Sequence, residues 1–350
     1  MDQFEEQVRG ADGQITEKTL ADCLVTSILS EDALKNLEIK PIKKYLGPIC
    51  EGSLGEIYGP RGIGKTILRD VISICLTRNR DLGPFKCENP AGVLIFDGEM
   101  SLHLLKDRNR ELTQNVCAAL KPLDTISNEH LYRSGLPIIN LANKLWRDAV
   151  IKLIMTMGDR WDVIIFDNLS SFLPGIKEND QEAWGPINEF LLQLRWLRKA
   201  VIFIHHAGKS GDQRGTSGRE DQLDFVLKLT LPAGYDPEEG CRFDATLTKT
   251  RSFTGPEAAP FTFEITTHPK GGLTWIVTSQ REQRKELIIA LLGNGTSQKD
   301  AANIAGVSKG YVSQIRKQAI NQKLLNPKGT NLTPTGLLKY GDFDIEKYTG

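Results

Sequence analysis

The sequence predicts an α/β protein, a mostly parallel sheet with crossover helices followed by a small basic domain of helices. Three observations lead there. From about residue 50 to 280, short apolar runs alternate with longer stretches of helical periodicity, the signature of strands joined by crossover helices. Three of the expected strands end in a polar or charged residue, Asp97, Asp167 and His205, at the carboxyl edge where open α/β sheets hold their ligands. Between the first strand and the first helix lies Gly59-Pro60-Arg61-Gly62-Ile63-Gly64-Lys65-Thr66, a complete phosphate-binding loop.

Composition sets the frame. The chain has 350 residues, 40% apolar and 25% charged, enough for one sizeable core with an appendage and too apolar for global disorder. Apolar runs such as Val93 to Phe96, Val163 to Phe166 and Ala200 to Ile204 fall far short of the roughly 18 residues a membrane span needs. No membrane partner is therefore expected. The acidic start, Met1-Asp2-Gln3-Phe4-Glu5-Glu6, is unlike a secretory signal, so a cytoplasmic location is expected. Six cysteines, none in a Cys-x-x-Cys pair, speak against zinc and a disulfide framework.

The elements follow in order. Residues 1–45 read as a polar helical segment, 46–280 as the α/β core and 281–350 as a separate domain. Parallel strands are expected at Leu54 to Tyr58, Gly92 to Asp97, Val163 to Asp167, Ala200 to His205 and Phe225 to Leu231. The helix after the loop has Ile67, Leu68, Val71, Ile72 and Leu76 at helical spacing. Phe243 to Thr250, Phe261 to Thr266 and Thr274 to Val277, separated by Gly and Pro, read as antiparallel strands that extend the sheet.

The loop chemistry names the candidate residues. Glycines let backbone N–H groups turn toward phosphates, the helix N-terminus adds its positive end, Lys65 reaches the β and γ phosphates, and Thr66 is placed to hold Mg²⁺. Gly59, Arg61, Gly62, Ile63, Gly64, Lys65, Thr66 and Ile67 are the expected nucleotide contacts. A magnesium nucleotide also needs a carboxylate on a neighbouring strand, and Asp167 closes the apolar run Val163 to Phe166. Asp97 and Glu99 end another strand, and Glu99 is the carboxylate chosen to orient and deprotonate water. His205 and His206 end a fourth strand and enter a glycine-rich basic loop; neighbouring histidines on a strand point to opposite sides and do not easily share a metal.

These four strand ends together resemble the RecA-like hexameric helicases, in particular the RepA type from plasmids and the related DnaB replicative helicase, over roughly residues 45 to 270. The resemblance implies a RecA-like core that binds ATP with Mg²⁺ and assembles as a homo-hexamer around single-stranded DNA. It assigns the phosphate loop to Gly59 to Thr66, the catalytic glutamate to Glu99, the metal-side aspartate to Asp167 and the sensor to His206, with His205 the weaker choice. It also implies that Lys249 and Arg251, in the segment Leu247 to Gly255, reach the nucleotide of the next subunit. Alternation along an extended segment would put the two on one face. Two loops would line the channel, one with Lys177 and one with Lys209, Arg214 and Arg219; acidic Glu178, Asp180 and Glu182 weaken the first. A departure from DnaB is the absence of its large amino-terminal collar domain, so the loading and primase contacts of that helicase are not carried over to this sequence.

The last part of the chain carries its own signal. Residues 281–340 hold 10 basic and 3 acidic side chains, a bias suited to phosphate. Arg281 to Leu292 reads as a helix, Ser297 to Asp300 as a capping box with aspartate in place of glutamate, and Ser308 as the cap of a helix Lys309 to Ala319. This is a helix-turn-helix whose second helix offers Lys309, Tyr311, Gln314, Arg316 and Lys317 to nucleic acid, duplex DNA among the candidates. Asn326 to Thr333 reads as the wing of a winged helix. Three functions fit: an ATP-driven helicase or translocase of DNA replication, an ATP-switched DNA-binding regulator or adaptor, and a recombinase-like filament ATPase.

Overall fold

The computed structural model describes residues 17–176, 181–206, 221–232, 234–341, 343 and 345. Two compact units divide the chain, residues 1–42 and 43–350. The first contains helices α1 (Glu17–Thr26) and α2 (Glu31–Lys35), the latter capped by the Ser30 hydroxyl. It buries little; Leu24, Ile28 and Ile39 are exposed.

The second unit opens with a hairpin, β1 (Lys44–Leu46) and β2 (Ile49–Cys50), where the sequence predicts the end of a helical segment. The central sheet follows: β3 (Leu54–Gly59), β4 (Val93–Asp97), β5 (Leu123–Ser127), β6 (Val163–Asp167), β7 (Ala200–His206), β8 (Phe225–Thr230), β9 (Arg242–Thr250), β10 (Phe261–Thr267) and β11 (Leu273–Ser279). Its spatial order is β11-β10-β9-β8-β3-β7-β6-β4-β5. The strands from β8 to β5 run parallel, and β9, β10 and β11 continue the sheet antiparallel. β5 is an edge strand that mixes apolar Leu123 and Ile126 with Asp124, Thr125 and Ser127, so no apolar run announces it.

Helices cover both faces: α3 (Lys65–Arg78), α4 (Leu102–Thr113), α5 (Asn128–Arg133), α6 (Lys144–Met157) and α7 (Gln181–Trp196). Successive strand residues feed opposite cores, as the period of two requires. Val93 and Ile95 of β4 join Leu68, Val71 and Ile72 of α3, whereas Leu94 and Phe96 join Val150 of α6 and Phe190 of α7. Rings of Phe96 and Phe166 stack at 4.9 Å in that second core. Each such side chain contributes about 1.5–3 kcal/mol on burial, and β4, β6 and β7, covered on both faces, read as continuous apolar runs. Helix α3 ends at Asn79, whose left-handed backbone (φ 53°) turns its N–H back to the Cys75 carbonyl. Among the described residues no helix is long and apolar enough to cross a membrane.

β11 runs directly into α8 (Gln280–Gly293), which packs with α9 (Gln298–Ile304) and α10 (Lys309–Asn321) around a small core of Leu287, Ile288, Leu291, Val312 and Ile315. The Ser297 hydroxyl accepts the Asp300 N–H at 3.2 Å, and the Ser308 hydroxyl accepts the Tyr311 N–H at 3.2 Å, fixing where both helices begin. Gly306 (φ 61°) makes the turn between them. Bridges Leu325 to Leu332 and Asn294 to Asn331 form a small ribbon at the position predicted for a wing, and α11 (Pro334–Tyr340) follows it.

Candidate nucleotide site

The loop after β3 takes its shape from three glycines. Gly62 has φ 78° and Gly64 φ 108°, a region that side chains rarely enter, and a Cβ on Gly64 would stand 2.4 Å from Cys241 Sγ. A Cβ on Gly59 would meet the Leu229 carbonyl at 2.9 Å. The backbone is thereby held against β8 and β9, while Gly62 has open space around it. Arg61 is exposed; the side chains of Ile63 and Ile67 turn into the core, so these two offer only backbone atoms to a nucleotide.

Lys65 is 5% exposed, and its Nζ donates to the carbonyls of Gly59 at 2.9 Å and Pro60 at 2.6 Å. Burial lowers its pKa to about 8, against the pull of Asp167 and Glu99. An ammonium so desolvated favours an anion beside it. Asp167, 4% exposed at the end of β6, has its carboxyl raised to about 6 by burial, with Arg69 and a hydrogen bond from Thr66 working the other way. Arg69 Nη1 lies 2.9 Å from Asp167 Oδ2, yet that oxygen has no aligned hydrogen-bond donor among the described residues. A buried strand-end carboxylate that is hydrogen-bonded to the Thr66 hydroxyl fits a Mg²⁺ ion and its water.

Glu99 stands beside this pair with a half-exposed side chain. Asp97 Oδ1 accepts the N–H groups of Glu99 at 3.1 Å and Met100 at 2.8 Å, which fixes the turn that carries the glutamate. Asn168 Oδ1 accepts from Ser171 N at 3.0 Å and from Ser171 Oγ at 3.1 Å, so its amide group faces His206 Nε2 at 3.0 Å and donates to it. The imidazole is accordingly a neutral acceptor at Nε2, with its pKa lowered by burial and by Lys65. Glu99 Oε1 is 3.8 Å from the same nitrogen. His205 is 1% exposed.

The structure thus brings Lys65, Thr66, Glu99, Asp167 and His206 to one sheet edge. It sets Lys249 and Arg251 at the other. Thr250 pairs with Phe225, which pairs with Gly55 at the start of β3, so the basic pair lies at the end of the sheet opposite the loop. The expected alternation does not extend through Arg251: β9 ends at Thr250, its register to β8 shifts between Val226 and Leu227, and Arg251 turns onto the Asp221 carbonyl and toward Asp224 Oδ1 at 3.8 Å. Lys177, Lys209, Arg214 and Arg219 lie outside the described residues.

In the tail, Lys309, Gln314 and Lys317 are exposed along α10. Two neighbours differ from expectation. Arg316 donates to the Lys328 carbonyl and lies against Gly329, where a Cβ would be 2.3 Å from its Nε; it braces the ribbon and does not stand free. Tyr311 packs on the tail core and walls a cleft of about 490 Å³ with Pro260, Arg281 and Arg284. Sequence reading missed Arg69, Asn168 and Ser171, and gave Asp97 no role. A charged residue on the buried stripe of α3, four after Lys65, was the available signal for Arg69.

No curated protein matches the chain. Among solved structures it is similar to the flagellar accessory protein FlaH from Methanocaldococcus jannaschii, at 16% identity and a TM-score of 0.42, over 65% of this chain and 90% of that one. It is also similar to the RadB recombinase, at 17% identity and a TM-score of 0.41, over 64% and 91%. A family model described as AAA domain matches residues 21–212, more than half of the sequence. The chain belongs to this AAA domain family, and its parallel sheet, glycine loop and acidic strand ends make it a RecA-like P-loop ATPase.

Proposed function

We propose that the chain is a DNA helicase or translocase of replication, a ring of six copies that hydrolyses ATP between neighbours while moving on single-stranded DNA. The observation that supports this reading is the division of charge between two sheet edges. The nucleotide loop stands at one, Lys249 and Arg251 at the other, so the pair reaches a nucleotide only on a second copy. Arg251 would leave Asp224 to do so.

Loop amides and Lys65 bind the phosphates, and Thr66 and Asp167 hold the metal. Magnesium, when bound, neutralises phosphate charge. Glu99 orients a water and takes its proton as the oxygen attacks the terminal phosphorus and ADP leaves. Neutral His206 bonds Asn168, which links the phosphate end of the site to the segment after β6. Exposed Lys309, Gln314 and Lys317 favour duplex contact by the tail, read here as a winged helix.

The test measures ATP turnover with and without single-stranded DNA, strand separation on a forked duplex, and assembly size. Turnover stimulated by DNA, with unwinding lost in both Lys65→Ala and Arg251→Ala, is the expected result. Mixing the two inactive variants should restore part of the turnover, because some interfaces then hold an intact loop facing an intact arginine. DNA-indifferent turnover with sequence-specific duplex binding would identify an ATP-switched regulator, and an open filament without unwinding a recombinase-like protein.

A further inference from the structure

Arg69 is the most deeply buried cation beside the nucleotide site, 1% exposed. It stands one helical turn after Lys65, on the face of α3 that enters the sheet. Its guanidinium meets three carboxylates: Nη1 lies 2.6 Å from Asp97 Oδ2 and 2.9 Å from Asp167 Oδ2, and Nη2 lies 2.7 Å from Asp70 Oδ1. Two of these acids end adjacent strands, since Asp97 of β4 pairs in register with Asp167 of β6. A buried arginine is costly unless fully paired, and this one sits where a cation has two separate consequences. Toward Asp167 it holds the carboxylate that shares a hydrogen bond with Thr66. Toward Asp97 it holds the carboxylate whose other oxygen accepts the N–H groups of Glu99 and Met100.

The geometry points to Arg69 as a built-in cation of the metal site, a positioning residue that holds Asp167 for the metal and, through Asp97, the turn carrying Glu99. This rests on the ATPase reading of the site. Without the guanidinium, the buried carboxylates of Asp97 and Asp167 and the half-buried one of Asp70 keep only Arg108, 3.7 Å from Asp70 Oδ2, and nearby Lys65 as counter-charges, and a divalent ion becomes an available partner. Lys65 and the loop amides are untouched, so nucleotide affinity without metal should hold while the reacting groups lose their register.

The experiment compares Arg69→Met, Arg69→Lys and Asp97→Asn with the wild type in three readouts: thermal melting with and without MgCl₂ in the absence of nucleotide, binding of fluorescent ADP without metal, and ATP turnover. Arg69→Met should gain several degrees of melting temperature on adding Mg²⁺, where the wild type gains none. Its kcat should fall about 10²-fold, the loss expected of reacting groups displaced by an ångström, with fluorescent ADP bound within threefold of wild type. Arg69→Lys keeps the charge but not the fork, and should lose kcat without becoming Mg²⁺-responsive. Asp97→Asn opposes its amide to Arg69 while keeping the acceptor for Glu99, and should lower kcat about tenfold at constant KM. If Arg69→Met does not fold, the other two variants carry the test. Wild-type kcat in Arg69→Lys and Asp97→Asn, or the same Mg²⁺ response in Arg69→Met as in wild type, overturns the assignment. A wild type that hydrolyses no ATP sinks the ATPase reading alone, since the melting comparison involves no nucleotide.

Discussion

His206 shows how one side chain acquires its character from what surrounds it. Ser171 orients the Asn168 amide, the amide hydrogen-bonds Nε2, and burial with nearby Lys65 keeps the ring neutral. Its folded pKa lies below its unfolded value, so the unfolded chain takes up the proton first as pH falls. His206 therefore opposes folding progressively below the ordinary imidazole range and has no such effect above it. His206→Gln keeps an acceptor for Asn168 and removes the titration. Between about pH 8 and about pH 5.5 the wild type should lose more melting temperature than this variant; parallel curves would contradict the assignment.

At the level of the element, the loop between β3 and α3 depends on two glycines in different ways. Gly64 has both a positive φ and no room, because Cys241 Sγ fills the place of its side chain; Gly62 has a positive φ in open space. Gly64→Ala should cost about 1–3 kcal/mol and loosen nucleotide binding. Gly62→Ala should cost roughly 1 kcal/mol, from backbone strain alone. Denaturant unfolding with and without ADP checks the order, and equal losses at the two positions would refute the packing argument.

Across the second unit, the tail is joined to the sheet without a linker, β11 ending at Ser279 and α8 beginning at Gln280. Its exposed lysines are separate from the basic residues that brace the fold, such as Arg316. Replacing Lys309 or Lys317 with glutamine should make the salt dependence of duplex binding shallower by about 0.9 in log–log slope for each phosphate the side chain no longer neutralises. An unchanged slope in both variants would remove α10 from the proposed DNA surface.

Much of the architecture is written in local pattern. The apolar runs ending in Asp97, Asp167 and His206 lie on adjacent parallel strands, and the glycine loop precedes the helix its spacing requires, because both signals come from neighbours in sequence. The edge strand β5 was not legible: an edge is paired on one side and half solvated, so Leu123-Asp124-Thr125-Ile126-Ser127 need not be apolar. Arg69 was hidden for a related reason. Helical periodicity places a residue on a face, but which acids meet that face depends on strand order, and Asp97 and Asp167 are 28 and 98 positions away in sequence. By itself, then, the sequence determined the inner strands, the helix after the phosphate loop, that loop and the acidic strand ends. Only the tertiary structure decided that one buried arginine joins those acids and that Lys249 and Arg251 face away from their own loop, because contacts between distant segments follow from the order and direction in which strands pair.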